Sequence, residues 1–338
     1  MGTGGEMSVS VIIKTLNEEK RIAATIESAL AGLPGGQGEV IVADSGSRDR
    51  TVEIASAYPV IVAQIRAPAQ ASCGIGPQLG FQYSSFDHIC LLDGDMILDP
   101  TFLTEAVAYL EAHPKAGGVT GHIEEMLVSN LEFTRRVQRE APELRAGRID
   151  RMNGGGLYRR KAIESVGYLS DRNLHGHEEF ELGARLRAAG WELYRLDRRF
   201  VQHFGHTMNS YKLLVRRWKS KYLRGSGEVL RAAFGKPYFG QVVKDLPELK
   251  LWVLVYGWIL LSLGILIFWP GKLMALGLVL ALAAAIVALM SWRKGGFQLG
   301  LYTVVAWLFH AAALPLGFFK ARRKPEDWIE SELLGKKQ

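Results

Sequence analysis

The chain has 338 residues and a formal net charge of +7, a length that allows two domains of ordinary size. Its only cysteines, Cys73 and Cys90, make no disulfide framework, so we expect the globular part in a reducing compartment. The first ten residues, MGTGGEMSVS, contain no apolar run and predict no signal sequence there. Most of the excess positive charge precedes an apolar C-terminal portion, which indicates a membrane surface more than nucleic acid as a partner.

Strands and helices alternate along the N-terminal portion. Buried strands are predicted at residues 8–13, 40–43, 60–65 and 88–92. The first helix is expected to begin near Asn17, because Asn is a frequent N-cap and acidic residues follow it. The second strand ends at Asp44, where the loop DSGSRDRT begins. This alternation favours a parallel sheet that is covered by helices on both faces.

The stretch LLDGDMILDP, residues 91–100, places two carboxylates at the end of the fourth strand. Only Gly94 separates Asp93 from Asp95, and open α/β sheets bind ligands in the crevice beyond the carboxyl ends of their strands. Two hard oxygen donors with no Cys or His beside them suit Mg²⁺ or Mn²⁺, which in turn binds a diphosphate. The alternative is an ordinary acidic turn, because Asp and Gly are common turn residues.

Further along the chain, two more segments are candidates for the site. The elements expected around them are a helix from Asp99 to about residue 112, a strand at 117–122, a charged helix at 128–146, and closing strands at 191–196 and 200–201. Three consecutive glycines at 154–156 indicate either backbone that passes close to a ligand or another segment, or a flexible loop. Acids at 178, 179 and 181 begin a helix, either as ordinary dipole partners or with one of them as a general base.

Taken in order, these motifs resemble the family-2 glycosyltransferases, whose catalytic domain has the GT-A fold. The resemblance spans roughly residues 8–206. It rests on SVIIKTLNEE, Asp44 with SGSRDRT, Asp93-Gly94-Asp95, NGGGLYRR and GHEEFELGARLRAAG. It implies an α/β catalytic domain over residues 1–206, with a Rossmann-like, mostly parallel sheet that binds a nucleotide-sugar donor.

The resemblance also implies roles for individual residues. The donor-binding residues would be Thr15, Asn17, Glu18, Asp44, Gln78, Asp93 and Gly155. Gln78 follows Pro77 where relatives often carry Arg-Asn, so a diphosphate contact at that point does not follow from the resemblance. A divalent cation, Mg²⁺ or Mn²⁺, would be held by Asp93, Asp95 and His203, although a histidine at a strand end is often simply hydrogen-bonded.

For the chemical step, the resemblance implies transfer with inversion at the anomeric carbon. Glu179 stands where the family usually has the Asp that takes the acceptor's hydroxyl proton, and Glu178 is the alternative base. A carboxylate that is partly desolvated beside another acid has a raised proton affinity, which suits a base. One base without a second carboxylate nucleophile fits direct displacement.

Residues 207–248 predict basic amphipathic helices at a membrane interface. Between Tyr211 and Lys236 the sequence has eight Lys or Arg residues and a single acid, Glu228. Large apolar side chains recur every four positions, at Leu214, Trp218 and Tyr222. A cationic helix of this kind binds anionic lipid headgroups. A soluble basic face is the alternative, and nucleic acid is a weaker one.

Residues 249–320 predict a transmembrane region, and 321–338 a charged tail. Apolar runs occupy 251–269, 273–292 and 297–319, and a membrane span needs about 20 residues. If the N-terminal domain is cytosolic, three full spans would leave the basic tail outside, against the positive-inside rule. Either the tail breaks this rule, or the third run is bent or re-entrant.

The combination resembles membrane-anchored transferases that extend lipid-linked saccharides in exopolysaccharide assembly. It implies a multi-pass protein of the cell inner (cytoplasmic) membrane, with a cytosolic catalytic domain and a polyprenyl-linked acceptor. Three alternatives stay open: a processive polysaccharide synthase, a nucleotidyltransferase and a non-catalytic membrane scaffold. The first is disfavoured because Leu214 replaces the Gln of the QxxRW signature.

Overall fold

A computed structural model describes residues 8–126, 145–205, 209–246 and 248–334. The chain divides into two compact units. The N-terminal unit contains residues 1–208 together with 321–338, and the helical unit contains residues 209–320. The charged helix predicted at 128–146 lies almost entirely outside the described residues.

The N-terminal unit is built on one sheet. Its strands are β1 (Val9–Thr15), β2 (Gly38–Asp44), β3 (Ile61–Ile65), β4 (His88–Asp93), β5 (Met96–Leu98), β6 (Ala116–Glu125), β7 (Gly147–Ile149), β8 (Gly156–Arg159), β9 (Glu192–His203) and β10 (Ser331–Leu334). Their order is β10-β3-β2-β1-β4-β8-β6-β9-β5, with β7 paired to β9. The four predicted strands β1 to β4 are confirmed and run parallel. The rest of the sheet is mixed, because β8 enters it antiparallel to both of its neighbours, β4 and β6.

Both faces of the parallel strands are buried, which explains their continuous apolar sequences. In β1, Val9, Val11 and Ile13 pack into one hydrophobic core, whereas Ile12 packs into a second core. Successive side chains of a strand point to opposite faces, so each core covers one face of the sheet. The carboxyl ends of β1, β2 and β4 therefore meet at one edge, and each of these ends carries a candidate site residue.

Six helices are described in the N-terminal unit: α1 (Ile22–Ala31), α2 (Thr51–Ala55), α3 (Ile75–Tyr83), α4 (Phe102–Ala112), α5 (Arg160–Ser165) and α6 (Glu178–Ala188). The first begins at Ile22 and not near Asn17, because the backbone of Asn17 is left-handed, with φ of 58°. The two closing strands predicted at 191–196 and 200–201 form the single strand β9.

The tail contributes an element that the sequence did not indicate. Residues 331–334 form β10, which pairs antiparallel with β3 at the edge of the sheet. Just before it, Ile329 is buried in the same core as residues of β3 and α3. SELL is too short and too mixed in character to be recognised as a strand without its partner.

The helical unit has helices α7 (Ser210–Lys219), α8 (Gly225–Ala233), α9 (Phe239–Asp245), α10 (Glu248–Phe268), α11 (Lys272–Lys294) and α12 (Phe297–Phe318), with a 3₁₀ turn at Tyr222–Arg224. Within the described residues, α10, α11 and α12 are long and apolar enough to cross a membrane. They coincide with the three predicted apolar runs. Helix α12 continues through Pro315, and it is the least apolar and most buried of the three.

Candidate active site

The acidic turn after β4 is held against the end of β1. The Gly94 amide donates to the Lys14 carbonyl oxygen at 3.0 Å, and the Thr25 hydroxyl donates to the Gly94 carbonyl oxygen at 2.9 Å. A Cβ atom at position 94 would lie 3.0 Å from both the Thr15 hydroxyl oxygen and the Glu18 Cγ. Because glycine allows this close approach, Asp93 and Asp95 are fixed beside the strand ends.

Lys14, which the sequence analysis did not single out, connects the acidic turn to helix α6. Its Nζ lies 3.0 Å from Asp93 Oδ1 and 3.3 Å from Glu178 Oε1. Burial lowers the pKa of the Lys14 ammonium, but Asp93, Glu178 and Glu179 together raise it well above its usual value. The available signal was a lysine at the carboxyl end of an otherwise apolar strand, where a charge requires a partner.

Glu179 binds the glycine loop. Its carboxylate accepts the backbone amides of Gly154 and Gly155, each at 2.5 Å. These glycines have φ of 104° and 96°, and a Cβ at Gly155 would lie 2.2 Å from the Leu91 carbonyl oxygen. Of the two alternatives for the glycine run, the structure therefore shows backbone that passes close to another segment. Burial raises the pKa of Glu179, Lys14 lowers it and Glu178 raises it, with a net increase.

The other metal candidates form a row across β5, β9 and β6. His203 stands opposite Met96 on one side and opposite Glu125 on the other. Its Nε2 lies 3.4 Å from Asp95 Oδ2, and its Nδ1 lies 2.6 Å from Glu125 Oε2. Burial lowers the pKa of His203, but its hydrogen bonds to Asp95 and Glu125 raise it to about 10. Glu125 was missed because no sequence pattern gives the register of β6 against β9.

The side chains expected at the nucleotide hold two loops together. Asp44 is buried and accepts the amides of Gly46 and Ser47 as well as the Ser47 hydroxyl and the Gln64 amide. The Asn17 amide donates to the Ser47 hydroxyl at 2.7 Å, and Asn17 Oδ1 accepts the Arg48 amide at 2.8 Å. The loops after β1 and β2 are thus one bonded structure at the predicted base and ribose position.

The remaining predicted donor residues differ in their surroundings. The Thr15 hydroxyl is buried and has no hydrogen-bond partner within the described ranges of the chain. The Glu18 amide donates to the Thr51 hydroxyl at 2.8 Å. Gln78 is engaged elsewhere, since its amide oxygen accepts the backbone amides of Leu169 and Ser170, both at 3.1 Å. Gln78 therefore supports the loop that leads to α6, and its contact with a donor stays a prediction.

Backbone strain is concentrated around this site. Four non-glycine residues with positive φ occur in the described chain, and three of them, Asn17, Asn153 and His177, lie in the loops just described. His177 immediately precedes α6, so its left-handed backbone sets the direction in which Glu178 and Glu179 enter the site. Such strain persists only where surrounding contacts enforce it, and it is frequent at functional sites.

The donor set suits a small divalent cation. Asp93 and Asp95 supply hard oxygen atoms, and His203 presents Nε2 toward Asp95 while Glu125 holds its Nδ1. A carboxylate on the second nitrogen is the usual support of a metal-binding histidine. No ready-made group of three metal-binding side chains is found in the described part of the chain. Mg²⁺ is usually bound by one or two carboxylates together with substrate phosphates, so the aspartates fit this mode.

Residues 10–167 match the model of the family described as Glycosyl transferase family 2. The chain carries a family 2 glycosyltransferase domain. It is 27% identical over 176 residues to a dolichol-phosphate mannosyltransferase of Pyrococcus furiosus, a match that covers 47% of this chain and 48% of that protein. It is 40% identical over 94 residues to the low-salt glycan biosynthesis hexosyltransferase Agl6 of Haloferax volcanii, covering 27% of this chain and 22% of that protein. The chain thus spans about half or less of these relatives.

Solved structures agree on the fold. The mannosyltransferase PcManGT of Pyrobaculum calidifontis, in complex with GDP-Man and Mn²⁺, has a TM-score of 0.58 at 19% identity, covering 91% of this chain and 86% of that one. Residues 1–349 of S. aureus TarS, in complex with UDP-GlcNAc, have a TM-score of 0.50 at 16% identity, covering 91% and 90%. At these identities the likeness shows the GT-A fold, and the roles of the site residues stay predictions.

Proposed function

We propose that the protein transfers a hexose from a nucleotide-sugar to a membrane-borne acceptor during glycan synthesis, with inversion at the anomeric carbon. The observation that carries this proposal is the link from Asp93 through Lys14 to Glu178, next to Glu179, at the carboxyl edge of the sheet. It supports the proposal because a candidate donor-binding carboxylate and a candidate base lie close together. The GDP-Man and UDP-GlcNAc complexes of the structural neighbours support a nucleotide-sugar as the donor.

At the donor end, the loops after β1 and β2 would bind the nucleoside through Asn17, Glu18 and Asp44, and the Thr15 hydroxyl offers a buried polar atom to the donor. Asp93, Asp95 and His203 would hold Mg²⁺ or Mn²⁺ together with the diphosphate. When bound, such a cation offsets the charge that develops on the departing nucleoside diphosphate. Glu125 would fix the imidazole of His203 in the orientation that presents Nε2.

At the acceptor end, Glu179 is the better candidate for the base. Its net raised pKa brings its proton affinity closer to that required of a general base at neutral pH. Each of its oxygens accepts one backbone amide and retains a further lone pair for an acceptor hydroxyl. Glu178 is instead paired with Lys14, so its charge is already matched in the protein. Its role would be to position Lys14 and the acidic turn.

The helical unit supports a membrane-borne acceptor. Helices α10, α11 and α12 can each cross a membrane by length and composition, and α7 carries four basic residues within ten. A lipid-linked saccharide cannot leave the bilayer, so an anchored enzyme meets it by diffusion in two dimensions. The relative named dolichol-phosphate mannosyltransferase is consistent with a lipid-linked acceptor. We propose the inner membrane, a cytosolic N-terminal unit and a polyprenyl-linked saccharide of the exopolysaccharide type.

The direct test is a donor panel. Purified protein in detergent receives Mn²⁺ or Mg²⁺ and one nucleotide-sugar at a time, with and without a lipid extract, and release of nucleoside diphosphate is measured. The proposal expects one donor to react far faster when lipid extract is present. Release of pyrophosphate from a nucleoside triphosphate would favour a nucleotidyltransferase, and long polymers formed from donor alone would favour a processive synthase.

A matched pair of variants tests the assignment of the base. Glu179→Gln should lower kcat by about 10²–10⁴-fold, the usual contribution of general-base catalysis. Glu178→Gln should reduce kcat less, because it removes a partner of Lys14 and leaves the base in place. Equal losses in kcat, or a larger loss for Glu178→Gln, would contradict the assignment.

A further inference from the structure

The tail after α12 is an integral part of the N-terminal unit. β10 pairs with β3 from Ser331 opposite Ile65 to Leu334 opposite Val62. The Gln82 side chain donates to the Ile329 carbonyl oxygen at 3.0 Å and accepts the Ile329 amide at 2.9 Å. The tail therefore contributes both a strand and a buried apolar side chain to this unit.

The first residues of the tail are anchored equally firmly. The Arg322 guanidinium donates to the fully buried carboxylate of Asp171. The Arg323 amide donates to Asn173 Oδ1, and Asn173 Nδ2 donates back to the Arg323 carbonyl oxygen, both at 2.9 Å. Arg172 Nη1 donates to the carbonyl oxygen of Asp327 at 3.0 Å. From residue 322 onward the chain is thus bonded to the loop that precedes α6.

This anchoring restricts how the chain can cross a membrane. The chain enters the helical unit at residue 209 and returns to the N-terminal unit at residue 321. A strand cannot pair with a sheet on the other side of a bilayer, so both connections lie on the same side. The helical unit must therefore cross an even number of times, and α10, α11 and α12 cannot all be full spans.

We infer that α10 and α11 cross the membrane and that α12 lies in the headgroup zone of the cytosolic leaflet beside α7. Side-by-side packing of α12 on α7 supports this choice. Tyr211 packs on Tyr302 with ring centroids 5.1 Å apart, and Trp218 packs on Phe309 at 5.5 Å. From the first contact to the second, each helix advances by seven residues, which is about 10 Å of helix length. The two helices therefore run side by side in the same direction.

The charge of α7 decides the orientation of this pair. Lys212, Arg216, Arg217 and Lys219 belong to α7, which contains no acid. If α12 crossed the bilayer upright, α7 would follow it and would carry these charges into the hydrocarbon, where basic residues are strongly disfavoured. In the interface the same residues bind anionic headgroups. The partner of this surface is therefore an anionic lipid leaflet.

The C-terminal part of α12 packs closely against α8 and the residue before it. A Cβ at Gly227 would lie 2.0 Å from the Leu314 carbonyl oxygen, and one at Gly317 would lie 2.3 Å from the Arg224 carbonyl oxygen. Lys320 Nζ lies 3.6 Å from Glu228 Oε1, a carboxylate that is buried in the unit. Helix α12 thus packs one face against the helices that carry the basic residues. It also contacts α11, where a Cβ at Gly300 would lie 2.4 Å from the Ser291 amide, and α10, where the Tyr256 hydroxyl donates to the Ala311 carbonyl oxygen.

The distribution of basic residues agrees with crossing by α10 and α11. This pair returns the chain to the cytosol at Arg293 and Lys294, and a non-crossing α12 keeps the basic tail there as well. Crossing by α11 and α12 would place Arg293 and Lys294 outside. Crossing by α10 and α12 would leave α11, the most apolar of the three helices, without a span. With two crossings, the basic tail stays in the cytosol, as the positive-inside rule requires.

Single-cysteine mapping in the full-length protein tests this inference, which rests on the proposed membrane location but not on the proposed reaction. In a Cys73→Ser background, Gly271→Cys, Gly296→Cys and Lys324→Cys each place one thiol between or after the apolar helices. Cys90 is buried and unreactive toward a bulky reagent. Neither glycine has positive φ between 20° and 160°, so the substitutions add no backbone strain. A membrane-impermeant maleimide is applied to intact bacterial cells and again after permeabilisation.

We expect position 271 to be labelled in intact cells, and positions 296 and 324 only after permeabilisation. With the N-terminal unit in the cytosol, labelling of position 324 from outside would overturn the even number of crossings. Labelling of position 296 from outside would overturn the assignment of α12 as the helix that does not cross. Protection of position 271 in intact cells would overturn the crossing by α10. None of these outcomes depends on whether sugar transfer is detected, so failure of the proposed reaction is distinguishable.

Discussion

Replacing Glu181 with alanine should destabilise the N-terminal unit, although Glu181 belongs to the same helical turn as the candidate catalytic glutamates. Its carboxylate is fully buried and accepts Arg185 Nε at 2.9 Å and the Tyr168 hydroxyl at 2.9 Å. Arg185 also donates to the Tyr168 carbonyl oxygen at 2.7 Å and lies 3.7 Å over the Tyr168 ring. Glu181 thus holds the buried guanidinium of Arg185 against the loop that precedes α6.

The expected size of the effect follows from the burial of this pair. Removing one partner of a buried ion pair leaves the other charge desolvated, which destabilises by about 3–5 kcal/mol. For a domain of about 150–250 residues, 1 kcal/mol corresponds to a shift in Tm of about 2–4 °C. The Glu181→Ala variant should therefore unfold about 6–20 °C below the wild-type protein.

The assay is thermal unfolding of the purified protein in detergent, followed by intrinsic fluorescence. Glu178→Ala is the matched control, because it removes a carboxylate from the same turn while Lys14 keeps Asp93 as a partner. Its Tm should fall by less than that of Glu181→Ala, since Lys14 retains Asp93 as a partner at 3.0 Å and no buried charge is left unpaired. Unfolding of Glu181→Ala within about 2 °C of wild type, or equal destabilisation of both variants, would contradict the structural role of the buried Glu181–Arg185 pair.

Three further predictions follow from the site. Glu125→Gln should weaken Mn²⁺ binding, measured by electron paramagnetic resonance, by about 10–100-fold through loss of the support on His203; unchanged affinity would remove Glu125 from the site. Gly155→Ala should destabilise the protein more than Gly190→Ala in thermal unfolding. Both positions have positive φ, but only at Gly155 would the added Cβ lie 2.2 Å from a carbonyl oxygen, that of Leu91. Equal shifts in Tm would count against this close approach. The value of kcat/KM should fall as the pH becomes acidic, with a midpoint above the ordinary glutamate pKa. The reason is that the pKa of Glu179 is raised and only its deprotonated form acts as a base. A midpoint below the ordinary glutamate pKa would contradict this role.

Local sequence was sufficient for the parallel half of the sheet. The apolar runs of β1 and β4 are long enough, and bounded clearly enough, to be recognised without knowledge of their neighbours. The positions of Asp44, Asp93 and Asp95 follow directly, because each comes at or just after the end of such a strand. The three apolar helices were predictable for the same reason, since their signal is continuous along the chain.

Features that depend on pairing between distant segments were not predictable. Glu125 reaches His203 only through the register of β6 on β9, and β10 is a strand only because β3 provides its partner. Likewise, the acids at 178, 179 and 181 look alike in sequence but have separate contacts, to Lys14, to the glycine loop and to Arg185. The spacing of these acids predicts a helix, but the contacts with the surrounding loops determine which of the carboxylates is buried.

Nucleoside diphosphate release by an Asp95→Asn variant shows whether the acidic turn is the centre of sugar transfer. The matched control is Asp197→Asn, which removes the charge of an exposed aspartate that contacts His122. With the reactive donor, Mn²⁺ and lipid extract, we expect Asp95→Asn to lose at least about 100-fold in turnover, while its Tm stays near that of wild type and the control retains full activity. Near-normal turnover by Asp95→Asn would contradict the assignment of the acidic turn as the centre of sugar transfer.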